Sequence, residues 1–177
     1  MKQGNQKKKG NLYEIKISRI LSNWYRDMNP QEQVPKKNHD FFWRTAGSGA
    51  KSTITRRGET SFVGDITFLP NPDKLGIWID CKSVKTITFN NLLTNTFLPF
   101  KWYNEELEKM YNLSIIKPVV IIFKLYGKKD DYIFFRASDF KYFKFGLVKD
   151  TLYLEPYAVT RLNNFLQCMD REEIIND

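Results

Sequence analysis

The sequence predicts an α/β fold with a central mixed β-sheet flanked by helices, its elements in the order αβββαβ. Three observations carry this reading. Apolar side chains recur at helical spacing from Tyr13 to Trp24. The unbroken apolar run Pro118–Tyr126 reads as a strand covered on both faces. Strand-like segments at 40–45, 64–69 and 77–84 lie between them, ahead of a helical stretch opened by Pro99. At 177 residues the chain is one domain's worth of sequence, and 42% hydrophobic with 15% aromatic content excludes disorder over its whole length.

The first nine residues carry Lys2, Lys7, Lys8 and Lys9 with no acid, and are expected as a flexible basic tail ahead of a single domain over 10–177. Tyr13, Ile17, Ile20, Leu21 and Trp24 then make one face of an amphipathic helix that ends near Met28-Asn29-Pro30. Glu14 stands on the shoulder of that apolar face. By the wheel alone it reads as a boundary carboxylate with its head in water.

Asp40-Phe41-Phe42-Trp43-Arg44-Thr45 reads as a buried strand, and residues 46–63, rich in Gly, Ser and Thr with Lys51, Arg56 and Arg57, as a long exposed basic loop. Ile66-Thr67-Phe68, the turn-rich Pro70–Gly76 and Ile77–Val84 form strand, turn and strand, which is simplest as a hairpin. Residues 85–97 are ambiguous. A helix runs from Pro99 to about Leu113, the strand 118–126 turns through Gly127-Lys128-Lys129 into Tyr132–Arg136, and a strand at 152–154 precedes a closing helix over 156–174.

Scarce residues exclude whole chemistries. One histidine, His39, and two cysteines, Cys81 and Cys168, cannot build a zinc site of the usual Cys/His kind, and no nucleophile signature accompanies His39. Two cysteines without a framework point to a reducing compartment. No stretch reaches the ~18 apolar residues of a membrane span, and the N-terminus lacks a signal peptide's apolar core, so a cytoplasmic protein is expected. Twenty-eight Lys and Arg against 20 Asp and Glu leave a net charge of +8, which favours a polyanionic partner such as nucleic acid.

The chemistry-bearing residues lie on the expected hairpin. Alternation points Ile77, Ile79 and Cys81 to one side and Trp78, Asp80 and Lys82 to the other, where Trp78 would flank the site. A turn centred between Pro72 and Asp73 sets Asp65 directly across from Asp80, with Cβ atoms roughly 4.5–5.5 Å apart. Opposed carboxylates repel, and a divalent cation between them resolves the conflict. Mg²⁺ suits such a pair, because it takes oxygen ligands and needs only one or two carboxylates besides substrate oxygens. Lys82 would orient or deprotonate a water, or neutralise the attacked phosphate. By spacing alone, an ordinary hairpin with a solvated polar face is an equal reading.

Glu14 on a first helix, Gly64-Asp65 opening a strand and Asp80-Cys81-Lys82 in the next resemble the PD-(D/E)xK nuclease superfamily, with its restriction-endonuclease-like core over residues 10–137 and an extension over 138–177. Arg44-Thr45-Ala46-Gly47-Ser48-Gly49 resembles the Arg/Gly/Ser stretch of archaeal and phage Holliday-junction resolvases. The resemblance implies that Asp65, Asp80 and the Cys81 carbonyl ligate Mg²⁺, with Mn²⁺ able to substitute, that Glu14 completes the acidic pocket as a further metal residue, and that Lys82 assists the attacking water. Gly64 stands where the family has proline, and Asp80 where it usually has glutamate. The implied activity is metal-dependent hydrolysis of DNA phosphodiester bonds, junction-selective in a homodimer, or else of the restriction or repair kind. Arg44, Ser48, Lys51, Arg56, Arg57, Lys85 and Lys101 are the candidate DNA contacts. A basic DNA-binding protein whose acids are only structural is the reading from outside enzymology.

Overall fold

The computed structural model describes residues 3–28, 40–45, 64–88, 90–91, 96–140 and 150–176, with side chains of the first helix from 9 to 27. The elements are α1 (Gln3–Met28), β1 (Phe42–Arg44), β2 (Ile66–Phe68), β3 (Trp78–Val84), α2 (Leu98–Asn112), β4 (Val119–Leu125), β5 (Asp131–Arg136), β6 (Leu152–Leu154), β7 (Tyr157–Arg161) and α3 (Leu162–Cys168). A five-stranded mixed sheet in the order β3-β4-β5-β7-β6 forms the centre. Only the β3–β4 pair is parallel, and β1 with β2 makes a separate two-stranded antiparallel ribbon. This is an α/β architecture with helices on both faces, consistent with a restriction-endonuclease-like fold. Among the described residues no helix is long and apolar enough to cross a membrane.

The sheet separates two cores. On one side Tyr13, Ile17, Leu21 and Tyr25 of α1 pack with Phe42, Phe68, Ile79, Val120, Ile122 and Phe165. On the other, Tyr103 and Met110 of α2 pack with Trp78, Val119, Ile121, Phe123 and Phe134. The alternating side chains of β4 therefore serve both cores, as its continuous apolar run requires. α1 is tied to β1 by Ser22, whose buried hydroxyl accepts the Phe42 N–H at 2.8 Å. It begins at Gln3 rather than after Gly10, so the segment expected as a tail enters the helix.

Three expectations are corrected. β2 and β3 are not a hairpin: β2 pairs with β1, while β3 pairs in parallel with β4, Asp80 opposite Ile121 and Lys82 opposite Phe123. The reason is burial. β3 is covered on both faces at its start, so it takes the long apolar β4 as partner, and α2 supplies the crossover that a parallel pair needs. The closing helix over 156–174 is a strand, β7, followed by the seven-residue α3. The aromatic and β-branched Tyr157, Val159 and Thr160 favour the pleated form. Trp78 does not flank an open site, because it is 2% exposed beneath α2.

The C-terminal residues reach back to the site's foundations. Gly76 donates to Ile174 O at 2.8 Å and Asn176 to Lys74 O at 2.7 Å, with Ile174 and Ile175 buried, so they staple the connection between β2 and β3.

Candidate active site

β3 is the outermost strand of the large sheet, and its open edge is where the predicted acids meet. The segment entering β2 grips that edge. Asp65 N–H donates to Ile79 O at 2.7 Å, the Asp65 carboxylate Oδ2 accepts the Cys81 N–H at 2.8 Å, and Thr45 N–H donates to Asp65 O at 2.9 Å. Asp65 thus sits beside the Ile79–Cys81 stretch without a regular ladder. Gly64 makes the approach possible: its φ is +80°, and a Cβ there would lie 2.7 Å from Ile79 O and 3.3 Å from Ile79 N. Glycine stands in the proline's place because backbone crosses backbone here.

Asp80 is supplied by β3 itself. It is 4% exposed and lies on the α2 side of the sheet with Lys82, whose ammonium donates to Oδ1 at 2.8 Å. The same ammonium is 2.8 Å from Oδ2 as an ion pair, yet Oδ2 is buried and receives no directed hydrogen bond. The contact is therefore a charge held side-on. Burial by itself would lower the Lys82 pKa; the Asp80 charge and hydrogen bond, with Asp65 and Glu106 behind them, outweigh it and leave Lys82 above the ordinary lysine value. In this arrangement the Asp80 pairing favours the charged form of Lys82.

Asp65 carries the opposite strain. Burial, then the Asp80 charge, then Glu14 push its carboxyl up to about 8, against the lowering influence of the Cys81 N–H and Lys82. Burial with Asp65, Asp80 and Glu14 also pushes the Cys81 thiol well above its usual value, so it stays protonated and this residue offers the site its backbone.

Glu14 is 8% exposed, which overturns the reading of a head in water. Arg44 Nε donates to its Oε2 at 2.9 Å and Arg44 Nη2 to Asn11 Oδ1 at 3.0 Å. Arg44, expected as a DNA contact, is thus held by two α1 side chains. Ser48, Lys51, Arg56 and Arg57 lie outside the described residues. Lys85 is exposed just past β3, and Lys101 is exposed on α2, 3.9 Å from Glu105.

One acid escaped the sequence reading. Glu106 of α2 is 2% exposed, accepts the Trp78 Nε1–H at 3.0 Å and pairs with Lys109; burial and then the Asp80 charge raise its pKa. The signal was present in the sequence, since Tyr103, Glu106 and Met110 share a helical stripe in which the acid is out of place.

Among the described residues no three His, Cys, Asp or Glu side chains gather closely enough to hold a metal ion. Glu14 and Glu106 therefore flank the central pair. What fits a hard divalent cation is Asp65 and Asp80 with the Cys81 carbonyl. The buried Asp80 Oδ2 has lone pairs that no directed hydrogen bond uses, and the raised Asp65 records how crowded the two carboxylates are.

In a comparison with known protein families, residues 5–175, nearly the whole chain, match the family model described as "Phage putative PDDEXK endonuclease". No curated protein and no solved structure matches. The helix carrying Glu14, the edge approach carrying Asp65 and the strand carrying Asp80 and Lys82 all fall within the matched span: the chain belongs to this phage PDDEXK endonuclease family, within the PD-(D/E)xK superfamily.

Proposed function

We propose that the protein is a Mg²⁺-dependent endodeoxyribonuclease, acting in the cytoplasm of a prokaryotic or virus-infected cell, with Asp65, Asp80 and the Cys81 carbonyl as its metal ligands. The observation that carries this is the meeting of Asp65 and Asp80 at the open edge of β3, with Lys82 alongside. A bound divalent ion supplies Lewis acidity and lowers the pKa of a water. The chain's residues do the rest. Lys82 offers its positive charge to the attacked phosphate. Cys81 N–H fixes the Asp65 carboxylate so that its remaining oxygen is oriented before substrate arrives. Glu14, held by Arg44, keeps negative charge near Asp65 and so favours the cation. Mn²⁺ should substitute.

A preference for branched DNA, cut by a symmetric homodimer, is a second reading, favoured by the Arg44–Gly49 stretch; two coordinated incisions need two active sites. The experiment is cleavage of four-way junction, linear duplex and single-stranded DNA, with Mg²⁺ and with EDTA. The wild type should cut only with the metal, Asp80→Asn and Asp65→Asn should lose about 10³-fold, and Lys82→Ala about 10²-fold. Unchanged cutting by Asp80→Asn would remove the site assignment. Equal rates on junction and duplex would remove the branched preference while leaving the nuclease.

A further inference from the structure

Beyond the acid pair, β3 runs on toward a cluster of positive charge assembled from three separate parts of the chain. Val84 pairs with Leu125, and Tyr126 N–H donates to Val84 O at 2.8 Å, so Lys85 emerges beside the β4–β5 turn. That turn passes through Gly127 at φ +77° with open space around it, and holds Lys128 and Lys129 exposed. α1 adds a fourth ammonium, because Lys9 Nζ lies 5.9 Å from the ring centre of Tyr126, itself 73% exposed.

The nearby acids do not cancel this charge. Asp131 is paired with Lys16 of α1, and Asp130 lies 3.7 Å from Arg161. Among the described residues Lys9, Lys85, Lys128 and Lys129 are in no ion pair. A run of ammonium groups whose neighbouring acids are paired to other cations is a surface for a polyanion. Its place matters as much as its sign: Lys85 lies three residues past Lys82, about 10 Å along the strand, which is within one or two phosphates of anything held at the acid pair. The ridge also crosses the carboxyl ends of β3 and β4, the side of an open α/β sheet where ligands dock.

We propose that the sugar–phosphate backbone of the DNA being cut runs from the acid pair over the end of β3 and along the ridge of Lys85, Lys128, Lys129 and Lys9, which grip its phosphates without reading sequence. This rests on the nuclease reading and adds a docking surface separate from the candidate contacts within residues 46–63.

The test is binding of a labelled DNA duplex in EDTA, where cutting is blocked, over a series of salt concentrations. It compares the wild type, a triple Lys85→Ala, Lys128→Ala, Lys129→Ala variant, the corresponding triple Lys→Arg variant, and Lys74→Ala at the opposite end of β3. Each lost phosphate contact lowers the slope of log affinity against log salt by about 0.9, so the triple alanine variant should flatten it by about 3 and bind about tenfold or more weakly at moderate salt. The arginine variant should retain wild-type behaviour, as should Lys74→Ala. A steep wild-type profile left unchanged in the triple alanine variant would overturn the ridge while leaving the nuclease intact. A wild type that neither binds nor cuts DNA would overturn both.

Discussion

The two aspartates of the site are the same residue type in contact with the same strand, yet they reach it by different routes. Asp80 is local. Strand alternation aims it, and Lys82, two residues along on the same face, supplies its counter-charge. Asp65 is non-local. Its place depends on a left-handed Gly64, on hydrogen bonds to Ile79 and Cys81, and on Thr45 from β1. Among the described residues Asp65 is in no ion pair, and its carboxyl is pushed up to about 8. One acid keeps a resident ammonium and the other keeps a proton. If the pair holds a divalent cation, as proposed above, its binding would compete with that proton on Asp65.

The largest break in this comparison should come from Gly64→Ala. The added Cβ meets the Ile79 backbone at 2.7 Å, in a φ region that L side chains avoid. We expect a loss of about 1–3 kcal/mol, read as a lowered Tm, and a loss of cleavage of about 10²-fold that exceeds what the stability change explains, because Asp65 moves. Wild-type cleavage in this variant would show that Asp65 does not need its edge contact.

Asp65→Asn sharpens the comparison through pH. A carboxyl whose pKa is about 8 in the folded protein and 3.8 in its ordinary state lets the folded form bind the extra proton. Its stabilising contribution is complete below about 3.8 and is lost as pH rises through about 8. Asparagine keeps the acceptor for Cys81 N–H and cannot ionise. Metal-free Asp65→Asn should therefore melt several degrees above the wild type at pH 8 and equal it below pH 4, and Mn²⁺ should raise the Tm of the wild type alone. The converse variant, Asp80→Asn, should show no such gain, since it strands the Lys82 charge. Equal melting curves for wild type and Asp65→Asn across that range would remove the charge conflict at this position.

The smallest effect is expected at the flank. Glu14→Gln and Arg44→Gln each break one side of a partly buried pair, and a double-mutant cycle on thermal stability should return a coupling of about 1 kcal/mol. A coupling near zero would make the pair a surface contact in energetic terms.

Legibility in the sequence followed the range of the interaction. Tyr13, Ile17 and Leu21 announced α1, Pro99 announced α2, and the run Val119–Leu125 announced a strand buried on both faces, because each signal lies within a few residues of chain. The expected hairpin failed for the converse reason. Turn residues at Pro70, Pro72 and Asp73 satisfy a 3₁₀ turn, Pro72–Lys74, as well as a hairpin, and which partner β3 takes depends on β4, more than 30 residues away in the chain. Glu106 was missed although its stripe was visible, since only Trp78 Nε1 and Lys109 make a buried acid tolerable there.

The sequence by itself determined the element types from α1 to β5, the two-sided burial of β4, the face shared by Asp80 and Lys82, and the shortage of zinc ligands, all consequences of backbone periodicity and residue chemistry. Only tertiary structure decided that Asp65 meets Asp80 across an open strand edge rather than a hairpin ladder, that Arg44 answers Glu14, and that Lys9, Lys85, Lys128 and Lys129 share a ridge. These depend on which distant segments pay the entropy of coming together, and burying both faces of β3 and β4 is what makes that association favourable.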